Sequence, residues 1–296
     1  MKCKMTAKQK EQWAGWLFMV PFLIIFAVFA VWPLIYSGYI SFFDWDLISE
    51  KEFVGLENYF FLLEDSYFTK AFLNTAVLCV TSTVPELLLA LIIAYFLYQK
   101  EIRGREVMKM SIFMPYLTST VAVSLVFGSI FGNQYGILNY LLERLGFSAI
   151  YWNTSQLGTY IAVSVMIIWR WTGYNSIMYL SAMQGVSEDL LEAATIDGAG
   201  KLRQFVSVVI PQIKKVILFT VITGTIGGMQ IFTEPLLFNG TSGGSNRQGL
   251  TISVLLYEEA FSRSNFGYAC AIAWALFFII MLISFINTVL TNRIKE

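Results

Sequence analysis

An all-α, polytopic membrane bundle of six transmembrane helices, with one further helical elbow on the cytoplasmic side, is the fold class this sequence predicts. Three observations carry it. Of 296 residues, 56% are hydrophobic and 14% charged, with a mean hydropathy of +0.62, far to the apolar side of an ordinary globular domain. Six apolar runs reach the roughly 20 residues needed to cross a bilayer core about 30 Å thick. The basic residues between those runs gather on one side, as lysine and arginine in short loops do when retained in the cytoplasm.

The runs are 13 to 37, 71 to 98, 107 to 131, 157 to 183, 212 to 232 and 268 to 291. Lysines precede the first, but its apolar stretch from Trp13 to Tyr36 is too long for a signal-peptide core and no small-residue cleavage pattern follows. Lys2, Lys4, Lys8 and Lys10 precede span one; Lys100, Arg103, Arg105 and Lys109 separate spans two and three. Lys201, Arg203, Lys214 and Lys215 separate spans four and five, and Arg293 and Lys295 follow span six. Both termini are therefore expected in the cytoplasm. The opposite side receives an acidic loop over 38 to 70, with Asp44, Asp46, Glu50, Glu52, Glu57, Glu64 and Asp65 against Lys51 and Lys70, and the loops near 132 to 156 and 233 to 267. Two parts follow: residues 1–70, a span plus the acidic loop, and a core over 71–291.

Other function classes recede. Formal net charge is zero, so bulk charge points to no nucleic acid. Cys3, Cys79 and Cys270 have no ligand-like spacing, and histidine is absent, which removes the commonest general base and zinc ligand. No phosphate-binding G-x-x-x-x-G-K-[ST] loop occurs: in GAGKL, Lys201 precedes Leu202, and Thr195 stands where the first glycine is required. No cofactor is expected in this chain, and nucleotide hydrolysis would fall to another.

The loop at about 187–211 is long enough for structure of its own. Ser187 is placed to cap a helix starting at Glu188, with Asp189 and Glu192 in its electropositive first turns. Gly198 and Gly200 permit a sharp turn, Lys201 to Val209 begins a second helical stretch, and Pro211 suits a first helical turn at the entry to span five. In order, Glu192, Ala193, Ala194, three residues, Gly198, nine residues, Val208, one residue, Ile210 and Pro211 resemble the E-A-A, Gly, I-x-L-P signature of inner-membrane permease subunits of binding-protein-dependent ABC importers. Val208 stands for isoleucine and Ile210 for leucine, both conservative in shape. The lead-in LSAMQGVSEDLLEAATIDGAG is similar to the carbohydrate-importer subfamily that includes the maltose and glycerol-phosphate permeases.

That resemblance implies a mechanical role. The loop would be a cytoplasmic coupling helix docked on an ATPase subunit, with Glu192 and Asp197 at the contact, Ala193 and Ala194 permitting close packing, Gly198 supplying the bend and Pro211 the span entry. It further implies two cytoplasmic ATPase subunits holding ATP and magnesium, a second permease subunit that the subfamily suggests is a different chain, an extracytoplasmic solute-binding protein, and residence in the bacterial inner membrane.

A solute path needs polar or aromatic groups facing inward, because exposing them to lipid is costly. In WRWTGYNS, residues 169–176, helical spacing aligns Trp169, Thr172, Gly173 and Ser176, continued by Tyr179 and Met183, with Asn175 beside them. The resemblance places this segment along a substrate cavity; helix packing through small and hydroxylated residues is the competing reading. Gln230 is expected at the solute and Glu234 at the external interface, adjoining the mouth or the binding protein, before GTSGGS, which lacks the proline of the family's T-G-G-P-like turn. Glu86 and Arg170, each near the middle of a span, are expected to pair, or one of them to face water, since either alone would be expensive in hydrocarbon. A self-contained ion-coupled secondary transporter is the alternative, and a membrane enzyme a third reading that the absent histidine weakens.

Overall fold

The computed structural model describes residues 6–99 and 104–293, so Lys2, Cys3, Lys4, Lys100, Arg103 and Lys295 lie outside the described residues. The chain is predominantly helical. In order come α1 (Ala7–Phe26), a π-helical turn (Ala27–Val31), α2 (Trp32–Ile40), the short antiparallel strands β1 (Phe43–Asp44) and β2 (Glu52–Phe53), α3 (Glu57–Glu64) and α4 (Ser66–Tyr98). Then follow α5 (Arg105–Leu117), α6 (Thr120–Ile130), α7 (Ile137–Arg144), α8 (Gln156–Gln184), α9 (Glu188–Ile196) and α10 (Lys201–Gln204). A second π turn (Phe205–Val209), α11 (Ile210–Met229), α12 (Thr233–Asn239), α13 (Ile252–Tyr257), a third π turn (Glu258–Ser262) and α14 (Phe266–Arg293) complete it.

Among the described residues, four helices are long and apolar enough to cross a membrane: Gly15–Ile40, Ser66–Tyr98, Lys201–Asn239 and Phe266–Val289. The segment expected as a continuous third span is instead broken, with α5 and α6 bent by 94°. Pro115 removes a backbone donor near the end of α5, and the Thr118 hydroxyl then bonds the Pro115 carbonyl while Thr118 and Ser119 take extended backbone. Counting that pair as one span gives five. At 29 residues α8 is about 43 Å long at 1.5 Å per residue. Its polar WRWTGYNS stretch lowers its hydropathy, and it is not one of the four.

Two of the three π turns end two residues before a proline, Pro33 and Pro211. Proline lacks the N–H that its helix would use and crowds the preceding turn, and one widened turn absorbs both defects without ending the helix. Pro211 does sit in a first α-turn, yet the helical path continues back through the π turn to Lys201.

The residues form two compact units, Met1–Glu64 with Glu259–Trp274, and Asp65–Glu258 with Ala275–Glu296. In the first, Gly38 lies beneath the Trp274 indole, whose Nε1 donates to Ser37 Oγ at 3.3 Å, and Asn58 bonds the Ser41 and Phe43 carbonyls. In the second, α4 and α8 run together through much of their length, with α11 against both. The segment after α12, expected as an external loop, is largely packed inside this unit: Leu250, Ile252, Val254 and Leu255 are fully buried. Asn74 on α4 holds it by donating to the Arg247 and Leu250 carbonyls, and Thr75 accepts from the Ile252 amide. Arg247 makes a bidentate pair with Glu258 and lies 3.9 Å from the centre of the Tyr67 ring.

Candidate functional site: an elbow and a cavity

The elbow is built as a helix, a left-handed stop and a second helix. Val186 is buried where α8 ends, and Ser187 takes the extended conformation of an N-cap, though its hydroxyl makes no capping bond, contrary to the sequence expectation. Glu188 and Asp189 occupy the first turn of α9. At the other end Gly198 has φ +77°, its amide donates to the Thr195 carbonyl at 3.0 Å, and the Ala199 amide donates to the Ala194 carbonyl at 2.9 Å. Those paired 5→2 and 6→1 bonds are a Schellman stop, whose left-handed residue favours glycine. Gly200, also expected in the turn, has an ordinary φ of −68° and precedes α10.

Gln204 locks the corner by donating to Thr195 Oγ1 at 2.9 Å and to the Ala199 carbonyl at 2.8 Å. Phe205, the next residue, enters a core with Val209 and Ile213, with Ala90, Ala94 and Leu97 of α4 and with Tyr179, Leu180 and Met183 of α8. The Phe205 and Tyr95 rings are 4.4 Å apart. The elbow's rear is thus anchored, while its tip is bare: Ile196 is 87% and Leu202 67% exposed. Glu192, Ala193 and Asp197 are exposed, Ala194 is half-buried, and Glu192 borders a cleft of about 380 Å³ with Glu188, Lys201 and Tyr95.

Farther along the same helices lies a cavity of about 360 Å³ between α4, α8 and α11, closed by Thr120 of α6 and residues 230–234. Small residues bring α11 and α4 together: a Cβ on Gly228 would stand 2.6 Å from the Cys79 sulfur. From α8 the cavity receives Ile167, Arg170, Trp171, Tyr174 and Asn175, a set at i, i+3, i+4, i+7 and i+8. Trp171 and Tyr174 form an aromatic cluster with Tyr116, with ring centres 4.7 to 5.9 Å apart. Of the residues expected along the solute path, Asn175 and Gln230 line this cavity.

Trp169, Thr172, Gly173 and Ser176 lie on a neighbouring face of α8 and do not line it. Gly173 is where α8 crosses α5, with the Ile112 carbonyl where a Cβ would be. The Thr172 and Ser176 hydroxyls bond back to the carbonyls of Ile168 and Thr172, and Trp169 packs against Phe127. These are helix-packing contacts, of the kind the competing expectation describes.

The expected Glu86–Arg170 ion pair does not form among the described residues. Glu86, 5% exposed, accepts instead from Asn175 Nδ2, while Arg170 lies over the Trp171 ring at 5.5 Å with its Nε buried and without a hydrogen-bond partner. Glu234, expected at the external mouth, is 8% exposed and lines the cavity. Trp171, Tyr174 and Thr223 also line the cavity but lie outside the stripe expected from the sequence; an arc drawn through Arg170 rather than Trp169 contains the first two.

A family model for the binding-protein-dependent transport system inner membrane component matches residues 67–296. The chain belongs to that family. This permease is 34% identical over 276 residues to the lactose transport system permease protein LacF of Rhizobium radiobacter, covering 92% of each chain. It is 34% identical to the arabinooligosaccharides transport system permease protein AraP of Bacillus subtilis, over 95% of this chain and 90% of that one. It is 33% identical to the multiple sugar-binding transport system permease protein MsmF of Streptococcus mutans, over 97% and 98%. In fold, the permease is similar to a chain of a bacterial ABC transporter involved in the import of the acidic polysaccharide alginate, with a TM-score of 0.84 over 97% of this chain and 98% of that one at 20% identity. The permease is accordingly a multi-pass inner-membrane transport component.

Proposed function

We propose that this chain carries a saccharide inward through the cavity beside Asn175 and Gln230, driven by ATP hydrolysis on separate subunits that grip α9. Six spans with both termini cytoplasmic are part of the proposal: α8 supplies the span that its polar stretch masks, and the bent α5–α6 pair supplies another. The assembly comprises this permease, a second one of different sequence, two ATPases and an external solute-binding protein. In it α9 is the coupling helix, with Glu192 and Asp197 at the ATPase.

The observation that carries the reading is the elbow itself. A helix held from behind by Phe205 and Gln204 moves with α4, α8 and α11, and those helices wall the cavity. Its exposed Ile196 and Leu202 give an apolar tip of the kind that marks a protein contact. The saccharide class is supported by the sugars in the relatives' names and by the Trp171 and Tyr174 rings beside amide and hydroxyl groups, which suit sugar faces and edges.

Purification from native membranes under mild detergent tests this. The tagged chain is expected to bring an ATPase and a second permease, and the assembly in liposomes is expected to accumulate saccharide only with ATP inside the ATPase-facing compartment. Uptake by this chain alone along an ion gradient would replace the importer with a secondary transporter.

A further inference from the structure

We infer that α7 and the turn after it form an anchor in the membrane surface, with one face embedded among the headgroups and upper acyl chains of the bilayer. The inference needs α8 and the bent α5–α6 pair to cross the membrane, as proposed above, but not the importer reading. The two faces of α7 are fixed by different chemistry. On the inner face Leu138 and Leu142 pack with Phe131 and Trp152, and Asn139 is 2% exposed. Its Nδ2 donates to the Asn133 and Ile150 carbonyls at 2.9 Å, and its Oδ1 accepts from the Ile150 amide and Trp152 Nε1 at 3.0 Å. Turning α7 about its axis would strand these buried polar groups, so its outer face is set.

That outer face is apolar. Ile137, Tyr140 and Leu141 form an exposed stripe at i, i+3 and i+4. The helix stops on Gly146, at φ +84°, where the Phe147 amide donates to the Leu142 carbonyl at 2.9 Å. Leu145 and Phe147 at this stop are 74% and 64% exposed. Between 132 and 156 the charged residues are Glu143 and Arg144, of opposite sign, so net charge draws no partner here, in contrast to the acidic 38–70 loop. A soluble partner that docks and leaves would bare this patch to water at each departure, whereas lipid covers it throughout. Lipid is also within reach. The chain runs on into α8, whose first turns present Leu157, Ile161 and Val165 as an exposed apolar stripe at i, i+4 and i+8, so the bilayer that covers α8 adjoins α7. Tyrosine rings such as Tyr140 are enriched at membrane interfaces, and Arg144, 5.3 Å from the centre of that ring, has a stem long enough to keep its guanidinium at the phosphates. Held this way, α7 keeps the adjoining ends of α6 and α8 at one depth while the elbow moves the far end of α8.

Nitroxide labels on the permease–ATPase assembly in liposomes test this, in a variant lacking the native cysteines. Leu145→Cys and Phe147→Cys place labels on the outer face, Glu143→Cys places one on the charged flank, and Val165→Cys places one on the exposed stripe of α8. Relaxation by oxygen, which concentrates in lipid, is compared with relaxation by a water-soluble nickel chelate. The Leu145 and Phe147 labels are expected to favour oxygen, at a depth of about 5–10 Å below the headgroups, while the Glu143 label favours nickel. Nickel access at Leu145 and Phe147 equal to that at Glu143 would put the face in water, and shielding of both labels from oxygen and nickel alike would put a protein partner over it. Either result overturns the anchor while an oxygen-favouring Val165 label leaves the spans intact. A Val165 label that favours nickel would instead remove α8 from the membrane, and the anchor with it.

Discussion

Replacing Gly198 by proline is expected to abolish uptake while leaving the chain inserted and the partner ATPase active. The reason lies in one torsion angle. Gly198 holds φ at +77°, and proline is confined near −65°, so the Schellman stop between α9 and α10 cannot form. The substitution also removes the amide that bonds the Thr195 carbonyl. With the corner open, α9 would no longer be held to Gln204 and the Phe205 anchor, and motion at the tip would not reach the spans. A graded series separates this from mere damage. Nothing lies within 4 Å of a Cβ at this position, so alanine suffers only the left-handed penalty of about 1–2 kcal/mol, and asparagine, which tolerates that region, less. Transport per ATP hydrolysed, measured in liposomes, should fall in the order glycine, asparagine, alanine, proline. Normal coupling in the proline variant would contradict the role given to the turn.

The second large effect is expected at Gly173. Even alanine there places a methyl group onto the Ile112 carbonyl, and backbone cannot swing aside as a side chain can. Overpacking of this kind costs about 3 kcal/mol or more, and here it would also force α5 away from α8. Gly173→Ala should therefore lower the thermal unfolding midpoint sharply in detergent, whereas Trp171→Ala, on the cavity face, should leave folding near normal and weaken solute binding. If Gly173→Ala were as stable as the parent and altered only solute affinity, the assignment of the two faces would have to be exchanged.

Much of the architecture was legible in the residues. The apolar runs mark the long helices, and the E-A-A spacing located α9, its stop and α10 almost to the residue, because local chemistry decides a helix stop: one left-handed position, two backbone bonds. What local pattern cannot supply is rotation about a helix axis. Trp169 and Trp171 are equally plausible in sequence, and only the contacts of Gly173 with α5 decide that the Arg170 arc faces the cavity. The Glu86–Arg170 pairing failed for a related reason. Opposite charges at mid-span suggest partners, but Asn175 donates to Glu86 across the α4–α8 contact, and Arg170 lies over the Trp171 ring. The break between α5 and α6 was signalled by Pro115 and the Thr118–Ser119–Thr120 run, whose hydroxyls compete for backbone groups; a hydropathy window averages that signal away. Burial of the 250–255 segment follows from its own apolar run, too short to count as a span.

The mechanical joint is tested most directly by a cysteine at Ile196, the most exposed apolar residue of the elbow, in a variant lacking the native cysteines. In working membranes, a short thiol-reactive crosslinker on that residue is expected to capture an ATP-hydrolysing subunit, with a yield that changes between the nucleotide-free and nucleotide-bound states. Capture of no such subunit in either state, in membranes still importing solute, would contradict the coupling of this pore through α9.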